Sequence, residues 1–265
     1  RAQHSLLLAK PSLAPTFRQI EKNQGKRKKQ IPWKAWLLSL LSLWSLSGCA
    51  GESNVERALD EQILHFGLGA EPQSIDPHLA NSVSAHNILT ALLEGLVSED
   101  PKTSKPTPGV AERWDISEDG TVYVFHFRKD AKWSNGDSVT ANDFVYSYKR
   151  ILDPSLGSEY ASMLHILKNS KPYGEGKKSW EEAGVGVEAL DDQTLKLTLE
   201  NPVPYFLEQL NHFTWFPVHP PTIENFGARL KRGTKWTRAG NYVGNGPFIL
   251  TEHHVNSVIM VERNP

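Results

Sequence analysis

Trp133-Ser134-Asn135-Gly136-Asp137-Ser138-Val139-Thr140-Ala141-Asn142-Asp143-Phe144 is the stretch from which the fold is read. Asn135-Gly136 is a tight-turn dipeptide, because both residues tolerate the backbone angles such turns demand. Thr140 to Asp143 has the pattern of a capping box: Thr140 accepts from the third helical amide and Asp143 reaches back. Phe144, Tyr148 and Ile151 then recur at i, i+4 and i+7, predicting a helix to about Leu152, where Pro154 stops it. Upstream, Thr121 to Arg128 alternates, with Tyr123, Phe125 and Phe127 on one face of a half-buried strand. The segment is therefore strand, turn, capped helix.

Working outward, Val187 to Leu190, a turn at Asp191-Asp192, and Leu195, Leu197 and Leu199 in alternation predict a hairpin. Pro204 to Leu210 reads as a short helix. Phe248 to Thr251 and Val258 to Glu262 predict a second hairpin across Asn256-Ser257. Toward the N-terminus, Ile63 to Gly69 is nearly all apolar and reads as a strand buried on both faces. Glu71 to Pro77 is a loop punctuated by prolines, and Ser84 to Leu93 is a helix with Gly95 closing it. Pro101 to Gly109 reads as a proline-rich turn region. The fold class is mixed α/β built on hairpins, without the regular strand–helix–strand alternation of a parallel sheet.

The chain has 265 residues, 39% of them hydrophobic, and a net charge of −1. That is enough to bury a core and too little charge for disorder. Nine of the 29 Lys/Arg but one of the 30 Asp/Glu lie in residues 1–48, leaving 20 against 29 beyond, a net of −9. An acidic body excludes nucleic acid as the partner, since phosphate binding needs a basic face. Residues 26–48 read as a secretion signal: Lys26-Arg27-Lys28-Lys29 and Lys34 precede the apolar run Trp36 to Trp44, followed by Leu46-Ser47-Gly48-Cys49. The run is well short of the roughly 20 residues a spanning helix needs. Cys49 is the only cysteine, so no disulfide within the chain and no thiol zinc cluster is possible. Its setting resembles a bacterial lipobox, which implies that Cys49 carries the lipid attachment and anchors the protein to a membrane. Residues 1–25 are a leader set aside from fold reasoning, and 49–61 are a polar tether.

No catalytic signature emerges. There is no Gly-x-Ser-x-Gly elbow, no phosphate-binding Gly-Lys-Ser/Thr loop and no His-Glu-x-x-His helix. Gly184-Val185-Gly186 and Gly244-Asn245-Gly246-Pro247 read as turns. His253-His254 sit side by side on a strand and so point to opposite faces, which disfavours a shared metal. Asp191-Asp192 stands where a turn needs Asp. No enzyme, cofactor or metal is indicated.

The segment Trp133 to Phe144 resembles the signature of the extracellular solute-binding proteins that serve oligopeptide and dipeptide importers. The likeness extends through Ser74-Ile75-Asp76-Pro77-His78, Glu94-Gly95-Leu96-Val97 and Pro108-Gly109-Val110-Ala111-Glu112-Arg113-Trp114. It continues through Ala189 to Thr194, Pro202-Val203-Pro204-Tyr205-Phe206 and Asn245-Gly246-Pro247-Phe248. The resemblance implies a two-lobed periplasmic clamp that closes by a hinge on an extended peptide. It places 62–93 and 219–265 in a first lobe and 94–218 in a smaller inserted domain, with the chain stopping inside the first lobe. On that basis the 265 residues alone are expected not to hold peptide usefully. The residues it implies as ligand-binding are Asn81, Ser82 and Val83, a short edge pairing with the peptide backbone, and Tyr160, which lines a side-chain pocket. Relatives carry an acid where Asn81 stands; Asn81 to Val83 also read as a plain lead-in to the helix. The implied partners are short peptides, the permease and ATPase subunits of an ABC importer, and the membrane through the lipid anchor, the protein being a monomer of the Gram-negative periplasm. Relatives that bind dipeptides, nickel chelates, haem or oligosaccharides, and a lipoprotein sensor or adhesin without a transport role, are the competing readings.

Overall fold

A computed structural model describes residues 62–64 and 66–265. Cys49, the signal segment and the tether lie outside the described residues. From Phe66 to Pro265 the chain forms one compact unit.

Helix α1 spans Val83–Leu92, followed by strands β1 (Val97–Glu99), β2 (Pro106–Pro108), β3 (Ala111–Ile116) and β4 (Val122–Phe127). Helix α2 spans Ala141–Leu152. Strands β5 (Val187–Asp191) and β6 (Thr194–Thr198) make the first predicted hairpin, and β7 (Phe248–His254) and β8 (Val258–Arg263) the second. The central sheet has the order β3-β4-β6-β5, antiparallel throughout. Tyr123, Phe125, Phe127, Leu195 and Leu197 face inward from it. Period-two alternation made these positions legible, because one face of an antiparallel sheet meets the core and the other water.

Helix α2 lies on that inner face, with Phe144 edge-to-face on Phe127 at 5.2 Å. Tyr148 meets Trp215 at 5.4 Å, and Trp215 meets Phe206 at 5.6 Å. The capping box forms: the Thr140 amide donates to the Asp143 carboxylate at 2.9 Å. The same oxygen accepts from the Trp133 indole at 3.0 Å. The Asn135-Gly136 turn closes with the Gly136 amide on the Trp133 carbonyl, Gly136 taking φ +94°.

Three expectations fail. Residues 62–64 and 66–69 form no strand, and Leu64 is 89% exposed. An apolar run becomes a strand only where a neighbouring strand pairs with it, and none does among the described residues. Gly95 does not cap α1; the helix ends at Leu92 with Leu93 extended. Gly95 is needed for closeness instead, since a Cβ there would lie 2.9 Å from the Phe216 ring. The proline-rich stretch 101–109 is not all turn: Pro106–Pro108 pairs with β1 as an edge strand, a position where missing proline amides cost nothing.

Gly244 to Pro247 turns before β7 as expected, and does more. Asn245 donates to the Glu94 carbonyl at 2.9 Å and accepts from the Glu94 amide at 3.0 Å. The Gly246 amide donates to Leu92 at 3.0 Å, and a Cβ on Gly246 would stand 2.6 Å from the α1 terminus. The turn thereby stitches the late part of the chain to the end of α1.

Candidate functional site

The site is built on a buried polar knot. Asp76 follows a turn in which its amide donates to Ser74 Oγ at 3.1 Å, and its Oδ1 accepts from the His78 amide at 3.0 Å. Arg150, one turn from the end of α2, donates to both Asp76 carboxylate oxygens at 3.0 and 2.7 Å. The same guanidinium donates to the carbonyls of Arg229 at 3.0 Å and Ala228 at 3.3 Å. The two side chains are 0% and 3% exposed.

His78 completes the knot. Arg150 has only donors, so His78 Nδ1 accepts from it at 2.8 Å, and Nε2 carries the proton toward the Phe216 carbonyl at 3.3 Å. Burial, then the Arg150 charge, pushes the His78 pKa down to about 3. Burial works to raise Asp76, but the charge and hydrogen bonds of Arg150 outweigh it and hold the carboxyl below its ordinary value. Trp236 lies 6.0 Å from the guanidinium and stacks on Tyr242 at 5.2 Å, whose hydroxyl donates to the Ile75 carbonyl at 3.3 Å. One arginine thus ties the 74–80 loop, α2 and residues 228–229 together.

That knot aims the residues which follow it. Asn81 Nδ2 donates to Glu159 Oε2 at 3.0 Å. Ser82 is extended (φ −133°, ψ 156°) and caps α1, its Oγ accepting from the Ala85 amide at 3.2 Å. Val83 already belongs to the helix, with 78% of its surface exposed. The extended edge read over Asn81 to Val83 is thus shorter than expected, because the Ser82 cap starts the helix one residue before the predicted Ser84.

Tyr160 lies on the same side, next to Glu159. Its ring meets His212 edge-to-face at 5.5 Å and Phe213 at 6.1 Å. His86 on α1 stands 5.9 Å from Phe213 and 6.4 Å from His212. The Thr214 amide donates to His212 Nδ1 at 3.4 Å. Burial, then the His86 charge, brings the His212 pKa down to about 4, so the ring is neutral near pH 7. The structure therefore brings Asn81, Ser82, Val83 and Tyr160 together across the start of α1. Glu159, His86, His212 and Phe213 join them, and no local pattern marks the last three. Arg150 was equally hidden, since a charged residue on an amphipathic helix reads as solvated surface.

His253 contacts Glu71 at 2.9 Å and His254 contacts Glu252 at 3.1 Å, on opposite sides of β7. Among the described residues no group of three or more His, Cys, Asp or Glu is placed to hold a metal ion. A cavity of about 750 Å³ is lined by Glu94, Arg128 and Asn211 among others, and a smaller one of about 270 Å³ has Asn81 and Glu159 in its lining.

Comparison with known proteins adds the following. The profile described as bacterial extracellular solute-binding proteins, family 5 Middle, matches residues 105–265. The periplasmic oligopeptide-binding protein OppA of Haemophilus influenzae is 43% identical over 210 residues, covering 78% of this chain and 37% of that protein. OppA of Escherichia coli K12 is 45% identical over 208 residues, covering 78% and 36%. The crystal structure of Haemophilus influenzae OppA in complex with RPPGFSPFR superposes with a TM-score of 0.69 at 43% identity, covering 75% of this chain and 37% of that one. The chain thus spans a little over a third of the length of these relatives.

Proposed function

Since the chain belongs to family 5 of the bacterial extracellular solute-binding proteins, we propose that it is part of a substrate-binding component that captures short peptides for an ABC importer. The observation that carries this reading is the face at the start of α1. Ser82 presents extended backbone, and no hydrogen bond among the described residues uses the amides of Asn81 and Ser82. Tyr160, His212 and Phe213 supply an uncharged aromatic wall beside it. Extended backbone plus a roomy wall is how a peptide is held by its main chain while side chains vary. In this reading Asn81, Ser82 and Val83 meet the peptide backbone and Tyr160 lines a side-chain pocket. Residues 62–93 and 219–265 belong to one lobe and 94–218 to an inserted domain.

The protein acts by binding, not catalysis, as a monomer in the periplasm, where the OppA relatives are named as residing. Cys49 supplies its lipid anchor. Native mass spectrometry of the protein purified from its own host tests the reading. A ladder of bound peptide masses, weakened on Tyr160→Ala, is the expected result. A protein that carries no peptide and gives no heat with tripeptides in calorimetry would overturn it.

A further inference from the structure

From Asn225 to Thr251 the chain carries no Asp or Glu and five Lys/Arg, all of them within residues 229–238, in a body whose net charge is −9. Arg229, Lys231, Arg232, Lys235 and Arg238 are all exposed, and none forms an ion pair among the described residues. Arg232 donates from Nε to the Leu156 carbonyl at 3.1 Å and from a second nitrogen to the Gly157 carbonyl, so dipoles hold it and its charge stays unneutralised. Arg229 stands near enough to Glu181 to act on it, but Glu181 is paired with Lys149 at 2.7 Å. Lys231, Lys235 and Arg238 use their carbonyls or nothing.

The loop is pinned through its backbone. At one end Arg150 takes the carbonyls of Ala228 and Arg229. At the other, Asn241 Nδ2 donates to the Lys235 carbonyl at 2.9 Å and the Tyr242 amide donates to Arg238 at 3.1 Å. Trp236, 2% exposed, anchors the middle. The cationic ends are thus presented outward from a fixed frame. Arg232, Thr234 and Trp236 share the lining of the 270 Å³ cavity with Pro72, Gln73 and Ser74, close to where the chain coming from Cys49 joins the compact unit. Of the two carboxylates in that lining, Asp76 is paired with Arg150 and Glu159 accepts from Asn81.

We propose that residues 229–238 are a contact surface for the anionic headgroups of a phospholipid membrane. A protein partner would be met by aromatic or apolar anchors, with lysine scarce at the centre. Here the loop's one aromatic ring, Trp236, is buried and Leu230 is half-buried. What remains outward is charge of one sign on flexible stems, which suits a surface of many phosphates without a fixed shape. One lipid chain holds a membrane reversibly, and a polybasic patch is a second signal that makes the attachment stable. The surface goes beyond peptide capture and does not depend on it; it would act beside the anchor proposed at Cys49.

Vesicle flotation of the protein purified from its own host tests this, with phosphatidylcholine alone and with phosphatidylcholine mixed equally with phosphatidylglycerol. At low ionic strength the mixed vesicles are expected to bind about tenfold more tightly, a gap that closes as salt rises. The variant K231Q/K235Q/R238Q, which removes no side-chain contact of the fold, loses that gap and keeps its bound peptides. K102Q/K105Q/K129Q, which changes the net charge equally at exposed lysines elsewhere, keeps it. Equal binding to both vesicles overturns the contact surface and leaves the anchor standing. A gap that survives the first variant, or that the second abolishes as fully, also overturns it. Binding to the mixed vesicles alone supports the surface and removes the anchor, and binding to neither removes both. Should the first variant bind vesicles as before and yet lose peptide uptake in cells, the loop meets an acidic protein and the lipid contact is refuted.

Discussion

Two polar clusters flank helix α2. At its start, Trp133, Thr140 and Asp143 satisfy one another within ten residues of chain. Near its end, Arg150 reaches Asp76 and His78, 74 and 72 residues back, and the carbonyls of Ala228 and Arg229, 78 and 79 residues on. The first cluster is a local cap, and it makes the family recognisable. The second is assembled only by folding, and it leads into the residues of the candidate site. Buried charge makes them unequal too, since Arg150 and Asp76 have left water entirely, whereas a cap at a helix start replaces one set of hydrogen bonds by another.

The sharpest way to break the contrast is Arg150→Met. It strands the Asp76 charge in the core and is expected to cost about 3–5 kcal/mol in urea unfolding. The double variant Asp76→Asn/Arg150→Met should recover a part of that loss, because the two groups are coupled. A loss no larger than that of a surface substitution would show that water reaches the knot.

Acid should act on the second cluster before the first. His78 titrates near 6.5 when unfolded and near 3 in the fold. Stability resting on its neutral ring is therefore complete above about pH 6.5 and drains away as pH falls toward 3. Asp76, held below its ordinary value, adds in the same direction at the low end of that window. Unfolding midpoints followed from pH 7 to 4 should fall steadily, and His78→Gln should flatten the upper part of the curve. An unchanged slope in that variant would assign the acid sensitivity elsewhere.

A smaller effect belongs to the local cluster. Asp143→Ala removes the cap and the partner of the Trp133 indole, for a loss of about 1–2 kcal/mol in the same unfolding measurement. Smallest in stability is Tyr160→Ala, which gives up two partly exposed aromatic contacts, with His212 and Phe213, for about 1 kcal/mol. Its peptide affinity should nonetheless fall severalfold in calorimetry. A variant with unaltered affinity would remove Tyr160 from the ligand face.

What was legible in the chain follows from contact range. The β4 alternation, the Asn135-Gly136 turn, the α2 cap and both hairpins depend on neighbours within a few residues, and each appears where it was read. Ile63 to Gly69 failed because a strand is defined by its partner, which composition does not name. Gly95 was assigned to a helix end because glycine commonly stands there, while its true constraint is the Phe216 ring, 121 residues away in sequence. Asn81, Ser82, Val83 and Tyr160 were reached through a family resemblance, and their physical environment was not visible from it. Nothing adjacent to Tyr160 in sequence announces His212 and Phe213, and nothing around Arg150 announces Asp76.

Sequence by itself determined the mixed α/β class, the elements around the signature segment and the family, because backbone angles, alternation and capping act over one to four residues. Tertiary structure alone decided that Arg150 is a buried organiser, that His78 is held neutral beside it, and that Asn81 answers Glu159. Those facts depend on desolvation and on charges brought together from distant parts of the chain, and a charge has a desolvation cost only after the fold has decided what surrounds it.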